Sequence, residues 1–215
     1  MPFNPMASGM MGAMSGVVEA LEGRTLFAEL PRGLSGWMGA CEVLLQERVR
    51  AWAFPVGDGH ALADSLRIFG RRARIGVRGV RTPQEVSDAF AAGAHFVTSP
   101  VASPELLEAA GGRPLALGGL TPNEVHDALG LGATTVQVIP ADALGMAYAR
   151  ALGDLFSGAE LIASGRLEPF QCEMWHDAGA IAVGLAPGVL FPEAAKGATS
   201  DLDALRRRAR EFASA

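Results

Sequence analysis

The pattern that most constrains this chain is an eightfold alternation of short apolar runs with amphipathic segments of helical period. The runs are Thr25–Leu30, Arg50–Phe54, Ala73–Val77, Ala94–Thr98, Pro114–Leu117, Thr134–Val138, Glu160–Ala163 and Ala180–Gly184. Helical patterns follow them over Leu34–Glu47, Ala61–Phe69, Pro83–Ala91, Pro104–Ala110, Pro122–Leu129, Leu144–Phe156, Glu168–His176 and Leu202–Phe212. Most of the runs are apolar throughout instead of alternating, as parallel strands covered on both faces require. Eight such units in 215 residues predict a single (β/α)8 TIM-type barrel over residues 17–215, with an open doubly wound sheet as the alternative. Residues 1–16 hold five of the eight methionines and no charged side chain, and are expected to be a loosely ordered lead-in. They lack the basic start and the continuous apolar core of a signal peptide.

An internal echo supports a fold made of repeated units. Residues 82–94 read TPQEVSDAFAAGA and residues 121–133 read TPNEVHDALGLGA, 39 positions apart. In both copies a threonine is placed to cap a helix, proline takes the first helical position and glutamate the third, which is a capping box. Gly93 and Gly132 then end the helices. Glu85 and Glu124 are therefore expected to be structural.

Charge and cysteine content exclude several functions. There are 18 basic and 23 acidic residues, a net charge of −5, so no basic excess points to nucleic acid or an anionic membrane. No apolar stretch reaches the length of a membrane span. Cys41 and Cys172 form no CxxC or Cys/His pattern; they are expected as buried small apolar residues in a reducing cytoplasm, with no metal site. Lys196 is the only lysine, so chemistry that needs a neutral amine has one candidate, and it falls in an expected surface loop.

The chain has no nicotinamide fingerprint after a strand, no GxxxxGK[ST] loop, no HExxH and no GxSxG elbow. Barrel logic places any site at the C-terminal strand ends. Those ends are poor in carboxylates, with Glu29, Asp58 and Asp142 nearby and Glu29 able to point outward. They read as a binding pocket more than as an acid–base site, with no cofactor required.

At these strand ends the sequence resembles the 2-keto-3-deoxy-6-phosphogluconate (KDPG) and 4-hydroxy-2-ketoglutarate (KHG) aldolases. GVRGVRTPQEVSDAFAAGAHFVTSP resembles the family segment from GAGTV to GA-x-F-x-x-SP, and GGLTPNEVHDALGLGATTVQVIPADALG its PG-x-x-TP-x-E … K-x-FP segment. AGAIAVGLAPGVLFP resembles its last strand and phosphate loop, and the likeness runs from about residue 24 to 212. It implies a trimeric (β/α)8 barrel. It also implies that the family's Schiff-base lysine falls on Gln137, its general-base glutamate on Ala53 and its GAGTV threonine on Gly79. The PTGG loop becomes ASGRL, with Arg166 in place of a glycine, and the Gly-Ser of the last loop becomes Ala186-Pro187.

The resulting expectation is a diverged member without the family's class I chemistry. It keeps a mouth pocket for a small carboxylate or phosphate, with Arg32, Ser99, Gln137, Ser164, Gly165, Arg166 and Gly184 as candidate ligand contacts. Two alternatives stay open: an active lyase on a 2-oxo acid or phosphosugar by another route, and a non-catalytic assembly or regulatory protein. The three tryptophans, Trp37, Trp52 and Trp175, are candidates either for subunit contacts in a homotrimer or for the helix–barrel layer.

Overall fold

In the computed structural model, residues 16–192 and 201–212 are described. Eight parallel strands close into one barrel in chain order. They are β1 (Leu26–Glu29), β2 (Ala51–Pro55), β3 (Arg74–Arg78), β4 (Phe96–Thr98), β5 (Leu115–Gly119), β6 (Thr135–Val138), β7 (Glu160–Gly165) and β8 (Ala182–Leu185). Closure is completed by β1 pairing with β8, Phe27 opposite Gly184. The helices are α1 (Val17–Leu21), α2 (Trp37–Gln46), α3 (Gly59–Phe69), α4 (Pro83–Ala91), α5 (Pro104–Ala110), α6 (Pro122–Gly130), α7 (Gly145–Leu155), α8 (Pro169–Asp177), α9 (Pro187–Leu190) and α10 (Leu202–Phe212). The expected barrel is thus the observed one, and each expected strand overlaps an observed strand.

The two TP-x-E repeats fold as their local chemistry requires. Thr82 accepts the backbone N–H of Glu85, and Thr121 that of Glu124, while each glutamate reaches back to the cap in a full capping box.

Two apolar layers result. The larger lies between barrel and helices; it holds the indole N–H of Trp52 at 3.2 Å from Ser65 Oγ, and it also takes Trp175. Trp52 and Trp175 are fully buried within the single chain, and Trp37 packs its ring edge-on against Phe54. For Trp52 and Trp175 this corrects the subunit-contact reading: the helix–barrel interval has enough depth to absorb whole indoles.

The smaller layer is the barrel interior, with Phe27, Ala51, Ala53, Phe96, Ala116, Ile162 and Ala182. Phe27 and Phe96 meet edge-to-face at 5.4 Å and fill its middle. Two glycines make room for them. A Cβ at Gly76 would lie 2.6 Å from the Phe96 ring, and one at Gly184 would lie 2.5 Å from Phe27.

The N-terminal end of the barrel is closed by α1, an element the sequence reading did not anticipate. The Val17 N–H donates to Thr135 Oγ1 (3.0 Å), whose hydroxyl donates to Glu160 (2.8 Å). Arg74 Nε holds the Ala20 carbonyl at 2.7 Å. Among the described residues, α1 thus covers this end of the barrel.

Candidate functional site at the barrel mouth

At the C-terminal strand ends the sequence candidates separate into three groups. The first centres on β6 and β7. Gln137 points into the barrel, is 1% exposed, and its amide donates to Ser164 Oγ at 2.6 Å. Ser164 in turn crowds Gly184: a Cβ there would stand 2.3 Å from the hydroxyl. Gln137, Ser164 and Gly184 thus form one packed, hydrogen-bonded contact.

The second group is the loop after β7. The Arg166 backbone N–H donates to Asp142 Oδ1 at 3.0 Å, and the same carboxylate sits over Gly165, 2.3 Å from where a Cβ would be. The Arg166 side chain is exposed. After β8 the chain turns at once into α9, with Pro187 at its first position and so without an N–H to offer. Asp142 thus accepts from the one backbone donor at this corner, and Pro187 has none to give.

The third group lies at the rim. Ser99 is buried, but its hydroxyl accepts the Val101 N–H at 3.1 Å and shapes the loop after β4. Arg32 is exposed and lies across the loop after β2, its Nη1 2.9 Å from where a Cβ at Gly57 would sit. Asp58, in that loop, accepts the Gly33 N–H at 2.9 Å and ties the loops after β1 and β2 together. The mouth does not bring Arg32 and Ser99 into contact with Gln137 through any hydrogen bond among the described residues. Lys196 lies outside the described residues.

One residue corrects the sequence reading. Glu29 does not point outward: it is 6% exposed and follows Phe27 on the barrel-facing side of β1. Its neighbour on β2, in register, is Ala53, which is fully buried. Arg78 Nε stands 3.7 Å from the Glu29 carboxylate. Arg78 itself donates to the Leu30 carbonyl through Nη2 (2.8 Å) and Nε (3.3 Å). Burial pushes the Glu29 carboxyl up to about 7, against a smaller downward pull from Arg78. The sequence signal was ambiguous because β1 is covered on both faces, so a single charge in its apolar run does not tell which face it occupies.

Cys41 and Cys172 are buried free thiols, both pushed up to about 12 by burial, which leaves them inert as nucleophiles. Among the described residues, no three His, Cys, Asp or Glu side chains are grouped closely enough to hold a metal ion.

The family model described as "KDPG and KHG aldolase" matches residues 59–207. The chain belongs to the KDPG and KHG aldolase family. A 2-dehydro-3-deoxy-6-phosphogalactonate aldolase of Escherichia coli (strain K12) is 29% identical over 120 residues, 54% of this chain and 58% of that protein. The chain thus matches less than two thirds of that relative's length. Among solved structures, a 4-hydroxy-2-oxoglutarate/2-dehydro-3-deoxyphosphogluconate aldolase from TTHB1 superposes with a TM-score of 0.76 at 27% identity, covering 92% of this chain and 96% of that one. The 2-keto-3-deoxy-6-phosphogluconate aldolase of Zymomonas mobilis ZM4 gives 0.80 at 17% identity, over 94% and 97% of the two chains, a likeness of fold alone.

Proposed function

We propose that this protein is a diverged member of its family that binds a small carboxylate in the barrel mouth and makes no Schiff base with a 2-oxo acid. The observation that carries this reading is Gln137. At the inward position of β6 there is a buried amide, hydrogen-bonded to Ser164, and an amide nitrogen cannot condense with a ketone. The occupied corner at Asp142 supports a carboxylate over a phosphate as the ligand's recognised group. Family resemblance supports a homotrimer, and two cysteines without a pairing pattern favour a reducing, cytoplasmic location. A lyase working by another route is the second reading, favoured by the buried carboxyl of Glu29.

Incubation with pyruvate and borohydride, followed by intact-mass spectrometry, tests this reading. The expected result is an unmodified chain and no cleavage of 2-keto-3-deoxy-6-phospho sugar acids above background. A pyruvyl adduct on Lys196 would overturn it.

A further inference from the structure

The helix layer around the barrel is not closed evenly. α4 packs along α5, α7 along α8 and α10 along α2, but α3 and α4 do not pack on one another in this way. Between them lies a cavity of about 370 Å³, and none of Glu29, Gln137 or Ser164 lines it. Its depth is apolar. Leu62 of α3, Val77 of β3 and Ala89 of α4 are buried side chains of the barrel–helix layer, and with Val56 they form the floor. Small-molecule sites have this size and lining, about 300–1,000 Å³ with few polar groups.

The charged groups of the cavity are all carboxylates, and they come from two sides. Asp58, at the N-cap of α3, stands on one; Glu85 and Asp88 of α4 stand on the other. Among the described residues, no lysine, arginine or histidine lines it. Each carboxylate spends one oxygen on the fold. Asp58 Oδ2 accepts the Gly33 N–H, Glu85 Oε2 closes its capping box, and Asp88 Oδ1 accepts the Gln84 amide at 2.7 Å. The second oxygen of each receives no hydrogen bond from a described residue. The cations of this region are placed elsewhere: Arg78 is on the Leu30 carbonyl, Arg32 lies across Gly57, and Arg81 is exposed on the loop before α4.

This layout separates two kinds of cation. A metal ion needs its ligands gathered at one point, and no three acidic, histidine or cysteine side chains among the described residues are so gathered. A molecule with an ammonium group at each end of an apolar chain matches carboxylates set apart across an apolar floor.

We propose that the α3–α4 cavity binds an aliphatic diamine. Its methylene chain lies on Leu62, Val77 and Ala89, one ammonium group faces Asp58, and the other faces Glu85 and Asp88. Each ammonium offers three N–H donors to the carboxylate oxygens that the fold leaves over. The ligand is opposite in charge to the one proposed for the mouth, so the two sites stand or fall separately.

Calorimetry with 1,4-diaminobutane as the probe, at neutral pH and low ionic strength, tests it. Saturable binding of one molecule per chain is expected, with butylamine at least about fivefold weaker because it has a single charge to place. Asp88→Asn, on the exposed side of α4, should also lose about fivefold. Ala92→Leu fills the cavity from an exposed position at the end of α4, and it should abolish binding while melting like the wild type. Equal affinity for the two amines, or binding unchanged in Ala92→Leu, would mean that only the chain's net negative charge attracts the diamine, and overturns the proposal. No binding at millimolar concentration overturns it too, whether the cavity is then empty or covered by a second copy of the chain. The comparison of the two amines uses the wild-type chain alone, so the test holds even where a variant fails to fold.

Discussion

At the scale of single residues, the mouth is organised by which polar groups satisfy one another. Gln137 and Ser164 are both buried, and each has the other as its partner. Ser164→Ala removes the acceptor and leaves an amide N–H buried without one, which costs about 1–3 kcal/mol. Urea denaturation should show that loss, whereas a change below about 0.5 kcal/mol would mean that water or another group serves the amide. Much of this residue-level picture was legible in the sequence. Gln137 is placed by the resemblance of its segment to the family's K-x-FP motif, and the packed contact of Gln137, Ser164 and Gly184 joins three of the expected ligand contacts. What the sequence could not carry is direction. Ser99 spends its hydroxyl on its own loop, and Glu29 faces inward, because neither a loop hydroxyl nor a charge in a doubly covered strand declares its side.

At the scale of elements, the capping boxes make the barrel's helices start where they do. Thr121→Ala removes the side-chain acceptor for the Glu124 N–H, and about 0.5–2 kcal/mol of stability should go with it. Thr82→Ala should cost a similar amount, and thermal melts of the two variants check this. Unequal losses would show that the repeats, alike in sequence, are not alike in context. These elements were legible because their signals are local: a cap, a proline, a glutamate at fixed spacing. The elements that were missed lack such signals. Val17–Leu21 is a single short turn of helix with no side-chain cap, and it is helical because it closes the barrel floor against Thr135 and Arg74. Pro187–Leu190 is four residues long and hides inside what reads as a loop after the last strand. Tertiary packing decides both, and propensity alone does not reach them.

At the scale of the whole molecule, two expected properties concern the chain as a unit. The first is assembly. With Trp52 and Trp175 inside the protomer, the apolar side chains left for a partner are those such as Phe170 and Leu155, which are 66% and 64% exposed. Light scattering at micromolar concentration should report three chains per particle, as the family resemblance implies, and a monomer mass would contradict that.

The second is the response of stability to pH. Several exposed carboxylates, Glu85 and Glu124 among them, are held low by backbone and side-chain hydrogen bonds; they stabilise the fold above their unfolded values, and that contribution fades as pH falls through their folded ones. Glu29 works the other way. Its folded value is raised from 4.5 to about 7, so the native state holds a proton that the unfolded chain has released. Stability therefore falls as pH rises through that interval and levels off above it, by up to about 3 kcal/mol for one group. Subtraction isolates the effect, because Glu29→Gln changes only this titration. The variant should match the wild type near pH 4.5, gain on it steadily towards neutrality and stay more stable at alkaline pH. Guanidinium denaturation series across that range check it. Parallel curves for the two proteins would mean that water reaches Glu29 and solvates the ionised carboxylate, so that its burial costs the fold nothing.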